Sequence, residues 1–222
     1  MGSFRGVIDT APDVDDIDIM PLGYATFLYD DAGNQIRKLA APDSNRLPVT
    51  LDQIPVDLQH AVVAIEDERF YEHNGIDVKG ILRAGMKALT TGDFSEGAST
   101  ITQQLARNIF LGYEKTYSRK IKEMFIAVAL EQKYTKQDIL EFYLNNVYFA
   151  NGYYGIESAS EAYFNKKAKD LSISQIAFLC SIPNSPGRYD PYKHKDSTIK
   201  RRDRILKNMY EDGYISQSQY EK

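Results

Sequence analysis

A chain of 222 residues with 43% hydrophobic and 12% aromatic content can bury a sizeable core, which excludes disorder over its whole length. A formal charge of -4 lacks the basic excess that phosphate-backbone binding requires, so no nucleic-acid partner is expected. The one cysteine, Cys180, lies in the apolar run SQIAFLCSIP; it excludes an intrachain disulfide and reads as a small buried hydrophobe.

No run approaches the ~20 consecutive apolar residues of a membrane span, and no signal-peptide core follows Met1. The opening MGS has the look of a cloning remnant, and residues 4–22 are acidic and aperiodic, as in a leader. YATFLYDDAGNQIRKLA then places two β-prone runs around Asp30, Asp31, Gly33 and Asn34, a hairpin signal. Residues 41–54 read as loop. The expected organisation is a leader with a hairpin over 1–50 and a helical domain over 51–222.

From Pro55 the period is helical: Leu58, Ala61, Val62 and Ile65 share a face in PVDLQHAVVAIEDERF. A second helix is expected over VKGILRAGMKAL, a third from Ser99 and a fourth from near Ser118 through RKIKEMFIAVALEQKY. Thr135 caps a fifth, KQDILEFYLNN, and IESASEAYF follows the glycine- and aromatic-rich VYFANGYYG. Leu171, Ser172, Gln175 and Ile176 form a capping box with a hydrophobic staple at the head of ISQIAFLCSI, and Ile215, Ser216, Gln219 and Tyr220 repeat that pattern. Between them lie an irregular stretch, PNSPGRYDPY, and a basic helix, STIKRRDRILKNMYEDG.

Three stretches carry candidate chemistry. In AIEDERFYEHNG, Glu66 follows Val62 by four residues and Ile65 by one, so its carboxylate meets the edge of the buried face. That setting suits a general base, whereas a solvated helix end is the bland alternative. In GASTITQQLARN, Thr100, Gln103, Gln104 and Arg107 share one face opposite Ile101, Leu105 and Ile109. Neutral amides ending in a cation suit an anionic or heavily hydroxylated ligand better than they suit plain solvation. In SRKIKEMFIAVALEQKY, Glu123 lies four residues after Arg119, where a basic turn meets an apolar continuation. An internal ion pair would explain it; so would a second carboxyl group in glycosyl chemistry. His73 has no second ligand at metal spacing, so no zinc site is expected and a structural role is assigned to it.

Taken together and in order, EDERFYEHNG, GASTITQQLARN, RKIKEMFIAVALE, YLNNVYF with NGYYGIESASEAYF, and IPNSPGRYDP resemble the peptidoglycan glycosyltransferase domain of class A penicillin-binding proteins and of monofunctional transglycosylases. The resemblance runs from about Pro55 to the C-terminus. It implies a mainly α, lysozyme-like, two-lobed fold behind the hairpin leader. It implies polymerisation of lipid II into β-1,4-linked glycan strands by inverting transfer, with release of undecaprenyl pyrophosphate and sensitivity to moenomycin. On this resemblance Glu66 is the base on the acceptor hydroxyl and Glu123 assists the leaving pyrophosphate.

The resemblance assigns substrate binding to Arg83, Ser99, Thr100, Gln103, Gln104, Arg107, Lys115, Arg119 and Lys120. Supporting roles fall to Asp67, Phe70, His73 and Asn108. A divalent cation, magnesium or manganese, accompanies the pyrophosphate in some members, though no dedicated metal cage is visible here. The implied partners are lipid II, the growing strand, the membrane surface and other cell-wall synthesis proteins, at the extracytoplasmic face of the bacterial membrane. The hairpin leader favours a bifunctional parent, whose anchor and transpeptidase would lie outside this chain. Two departures stand out: Ala98 where the family commonly has glycine, and Arg107 where it has lysine. A glycan hydrolase and a non-catalytic lipid II-binding scaffold are the rival readings, opposed respectively by the cationic cluster and by the presence of both glutamates.

Overall fold

The computed structural model describes residues 25–39, 45–92, 97–111 and 117–221. The MGS opening, the acidic leader at 4–22 and Lys115 lie outside these residues. The fold is mainly helical with one short two-stranded antiparallel sheet. Strands β1 (Thr26–Tyr29) and β2 (Gln35–Leu39) form the expected hairpin. Its turn is tied by Asp30, whose carboxylate accepts from the Ala32 and Asn34 backbone amides and from the Asn34 side chain.

The helices follow as α1 (Val56–Glu66), α2 (Val78–Thr91), α3 (Ile101–Phe110), α4 (Tyr117–Lys133), α5 (Lys136–Asn146), α6 (Ile156–Phe164), α7 (Ile173–Cys180), α8 (Lys195–Glu211) and α9 (Gln217–Tyr220). Both expected capping boxes are present, Ser172 with Gln175 and Ser216 with Gln219. Thr135 caps α5 through a reciprocal exchange with Asp138.

Three local expectations are corrected. Helix α3 starts at Ile101, two residues after the Ser99 start that the sequence suggests, because Thr100 is its N-cap and Ser99 is bonded to Lys120. Helix α8 starts at Lys195, two residues before the Ser197 start that the sequence suggested. The loops contain short 3-10 turns at Leu51–Gln53, Phe70–Glu72 and Ala168–Asp170, which have no hydrophobic period to announce them.

The chain forms two compact units. In the first, Glu66–Tyr143, the core is Phe70 with Ile101 and Leu105 of α3, Ile126 and Leu130 of α4, and Ile139, Leu140 and Tyr143 of α5. The loop before α2 passes close to α4. A Cβ at Gly75, where φ is +88°, would lie 2.7 Å from the Ala127 carbonyl oxygen, so only glycine fits there. In the second unit, α1 contributes Leu58, Ala61 and Val62, α6 Ile156 and Ala159, α7 Ile176 and Leu179, and α8 Ile205 and Met209. Cys180 is buried, as its apolar setting suggested.

Candidate active site

Every site residue with described coordinates belongs to the first unit, and the segment 99–104 is its hub. Thr100 caps α3: its hydroxyl oxygen accepts from Gln103 N at 3.1 Å, while its backbone N–H donates to Gln103 Oε1 at 3.0 Å. The same hydroxyl donates to the Gly75 carbonyl at 2.7 Å, which holds the start of α3 to the loop beside α4. Thr100 and Gln103 are therefore absorbed by helix capping, and Gln103 is 1% exposed.

Gln104 faces the other way. Its Nε2 donates to Glu66 Oε2 at 3.0 Å, and its Oε1 accepts from the buried Tyr143 hydroxyl at 3.2 Å. An ionised carboxylate only accepts, so the amide presents its N–H to Glu66 and leaves its oxygen for the phenol O–H. Glu66 itself is the last residue of α1 and half-buried, at the apolar edge that the sequence indicated.

Asp67 is buried and wholly committed to structure. Its two oxygens lie 2.9 Å from His73 Nε2, which donates to it, and one also accepts from Ile101 N at 3.0 Å. The residue after the candidate base thus pins the histidine and the first turn of α3 together. Glu68 is exposed and forms a surface pair with Arg83 at 3.3 Å. The three adjacent acids have three different environments.

Glu123 of α4 is 1% exposed. It pairs with the ammonium of Lys120, one turn earlier, and that ammonium also donates to Ser99 Oγ at 2.9 Å. The Lys120 side chain is 43% exposed, so a buried carboxylate anchors a cation that still reaches solvent. The result is a segment whose serine touches the Lys120–Glu123 pair and whose glutamine touches Glu66. Arg107 and Arg119 are half-buried on α3 and α4, and Asn108 is exposed.

Sequence reasoning missed a second buried network beneath this site. Glu131 accepts from Thr102 Oγ1 at 2.6 Å and from Lys136 Nζ at 2.7 Å, and that ammonium lies 4.3 Å from the centre of the Phe70 ring. Thr102 sits among apolar residues of α3, and nothing in its spacing marks it. Ala98 is not among the residues with positive φ, so its substitution for glycine carries no backbone strain. Among the described residues no three His, Cys, Asp or Glu side chains converge in a way that could hold a metal ion.

The model of the family described as Transglycosylase matches residues 32–210. The chain belongs to the transglycosylase family. It is 48% identical over 189 residues to penicillin-binding protein 1F of Bacillus subtilis, covering 85% of this chain and 26% of that protein. It is 42% identical over 220 residues to penicillin-binding protein 1A of Escherichia coli, covering 99% and 26% respectively. A crystal structure of penicillin-binding protein 1A from Haemophilus influenzae superposes with a TM-score of 0.49 at 20% identity, covering 90% of this chain and 20% of that one. The chain spans about a quarter of the length of these relatives. It is a transglycosylase domain, and a segment of each of these penicillin-binding proteins is similar to it.

Proposed function

We propose that this domain polymerises lipid II into β-1,4-linked glycan strands with inversion at the anomeric carbon and release of undecaprenyl pyrophosphate. The observation that carries the reading is the one short segment, 99–104, hydrogen-bonded to Glu66 through Gln104 and to the Lys120–Glu123 pair through Ser99. Glu66 takes the proton from the acceptor 4-hydroxyl as that oxygen attacks the anomeric carbon. The Gln104 amide, held by Tyr143, keeps the carboxylate aimed. Lys120, anchored by Glu123, meets the negative charge that grows on the departing pyrophosphate, and Arg107 and Arg119 add to the same field. A divalent cation accompanying the pyrophosphate would take its ligands chiefly from phosphate oxygens, since these residues build no cage for it.

The polyprenyl tail of such a substrate places the reaction at a membrane, on the extracytoplasmic face. Helix α2 supports this, because Val78, Leu82, Met86 and Leu89 lie along one face and all are exposed. No helix among the described residues is long and apolar enough to cross a membrane, so α2 would lie on the surface.

The deciding experiment is a lipid II polymerisation assay on Glu66→Gln. The expected outcome is a rate lower by about 10²–10⁴ with an unchanged melting curve. Wild-type turnover by the variant would overturn the assignment of Glu66. Rapid shortening of purified glycan strands by the wild-type protein would instead identify a hydrolase.

A further inference from the structure

We infer that the second unit carries a separate saccharide-binding site, built on one face of α6, that holds the product strand rather than the reacting sugars. Ser158, Glu161 and Ala162 lie at i, i+3 and i+4 of that helix, and with Asn165, its left-handed C-cap, they line one concavity of about 490 Å³. Two polar atoms at this concavity are buried without a hydrogen-bond partner among the described residues: Ser158 Oγ and Asn45 Oδ1. Ser158 is 1% exposed and sits inside a helix, where a serine hydroxyl ordinarily bonds back to its own backbone. An uncompensated hydroxyl and an uncompensated amide oxygen at one concavity favour a ligand that both donates and accepts hydrogen bonds.

The rest of the lining narrows the class. Tyr153 supplies an aromatic wall, braced edge-on by Tyr163 at 5.4 Å, whose own hydroxyl is tied to the Phe149 carbonyl at 2.7 Å. Lys166 and Lys167 are exposed at one side of the concavity, and Glu161 and Asn165 supply further acceptors and donors. A rigid aromatic face, a hydroxyl, two amides, one carboxylate and a cationic side match a pyranose ring: hydroxyls in its plane, an apolar face for the phenol, and acidic substituents for the lysines. A single bridging water, at about 30 Å³, could satisfy the two buried atoms but would leave most of the concavity without a role.

The choice of the glycan strand as ligand rests on the polymerising function proposed above. The site itself contains none of the residues assigned to the reaction. Its effect would be retention: a strand held there stays with the enzyme between additions.

The test is an NMR titration of isotope-labelled protein with short peptide-free glycan oligosaccharides. Shifts are expected to cluster on Asn45, Tyr153 and α6, and Ser158→Ala is expected to weaken binding about tenfold. Ala162→Trp, which adds bulk to the lining of the concavity, should abolish those shifts; should it fail to fold, Asn45→Ala replaces it. In polymerisation assays the same variants should keep the initial rate and release shorter strands. Shifts confined to the first unit would overturn the site, as would unchanged affinity in the variants or a high-resolution structure showing only one bridging water. A protein that binds strands at α6 but polymerises nothing would refute the proposed function and leave this site standing. A protein that polymerises but does not bind at α6 would do the reverse.

Discussion

Helices α2 and α3 are both amphipathic and neighbours in sequence, yet they are treated in opposite ways. Helix α3 buries its first six residues, Ile101 through Ala106, and three of those six are polar. Helix α2 buries only Gly80 and exposes Val78, Leu82, Met86 and Leu89, the last at 89%. Periodicity divides a helix into faces; it does not say which face the protein covers. In α3 the polar side chains are buried because each has a job: Thr100 and Gln103 cap, Thr102 serves Glu131, and Gln104 serves Glu66. In α2 the apolar side chains stay outside, which is the exposure that the proposed contact with lipid requires.

This contrast can be broken at three places. The largest effect is expected at Asp67, which joins α3 to His73. Asp67→Ala leaves the imidazole N–H and the Ile101 amide without their acceptor, at a cost of about 3 kcal/mol or more in thermal unfolding. Unchanged stability would mean that water replaces the carboxylate and that α3 does not depend on it. Next comes α2. Leu82→Ser combined with Leu89→Ser should weaken binding to anionic vesicles about tenfold or more, while unfolding shifts by less than about 0.5 kcal/mol. A large loss of stability with no loss of vesicle binding would reverse the reading of that face. The smallest effect is expected from Thr100→Ala, about 1 kcal/mol for a lost N-cap, read from a denaturant midpoint.

Much of this molecule was legible in its sequence, and the reasons differ by element. Helix caps have local causes, so Ser172, Ser216 and Thr135 could be read from spacing and are found capping. Glu66 could be placed at a buried edge because helical phase is arithmetic. Helix α3 starts two residues past Ser99: Thr100 is the cap because Gln103 stands at the capping-box position three residues on, while Ser99 and Thr100 are further held by Lys120 and Gly75, 21 and 25 residues away. The Thr102–Glu131–Lys136 network and the Tyr143–Gln104 bond were illegible. They join residues from 5 to 39 positions apart, and buried polar partners carry no periodic signature.

Gly75 gives the site a shared hinge pin. Its carbonyl holds the hydroxyl that starts α3, and its missing side chain lets the loop rest on the backbone of α4, the helix that carries Glu123. The path from the helix that steadies one carboxylate to the helix that bears the other thus runs through one side-chain hydroxyl, that of Thr100, and then main chain against main chain at Gly75 and Ala127. Sequence drift in the loop can change its chemistry without changing that path, whereas one methyl group at position 75 would alter both helices at once. The alignment of the two carboxylates is inherited from a contact in which neither takes part.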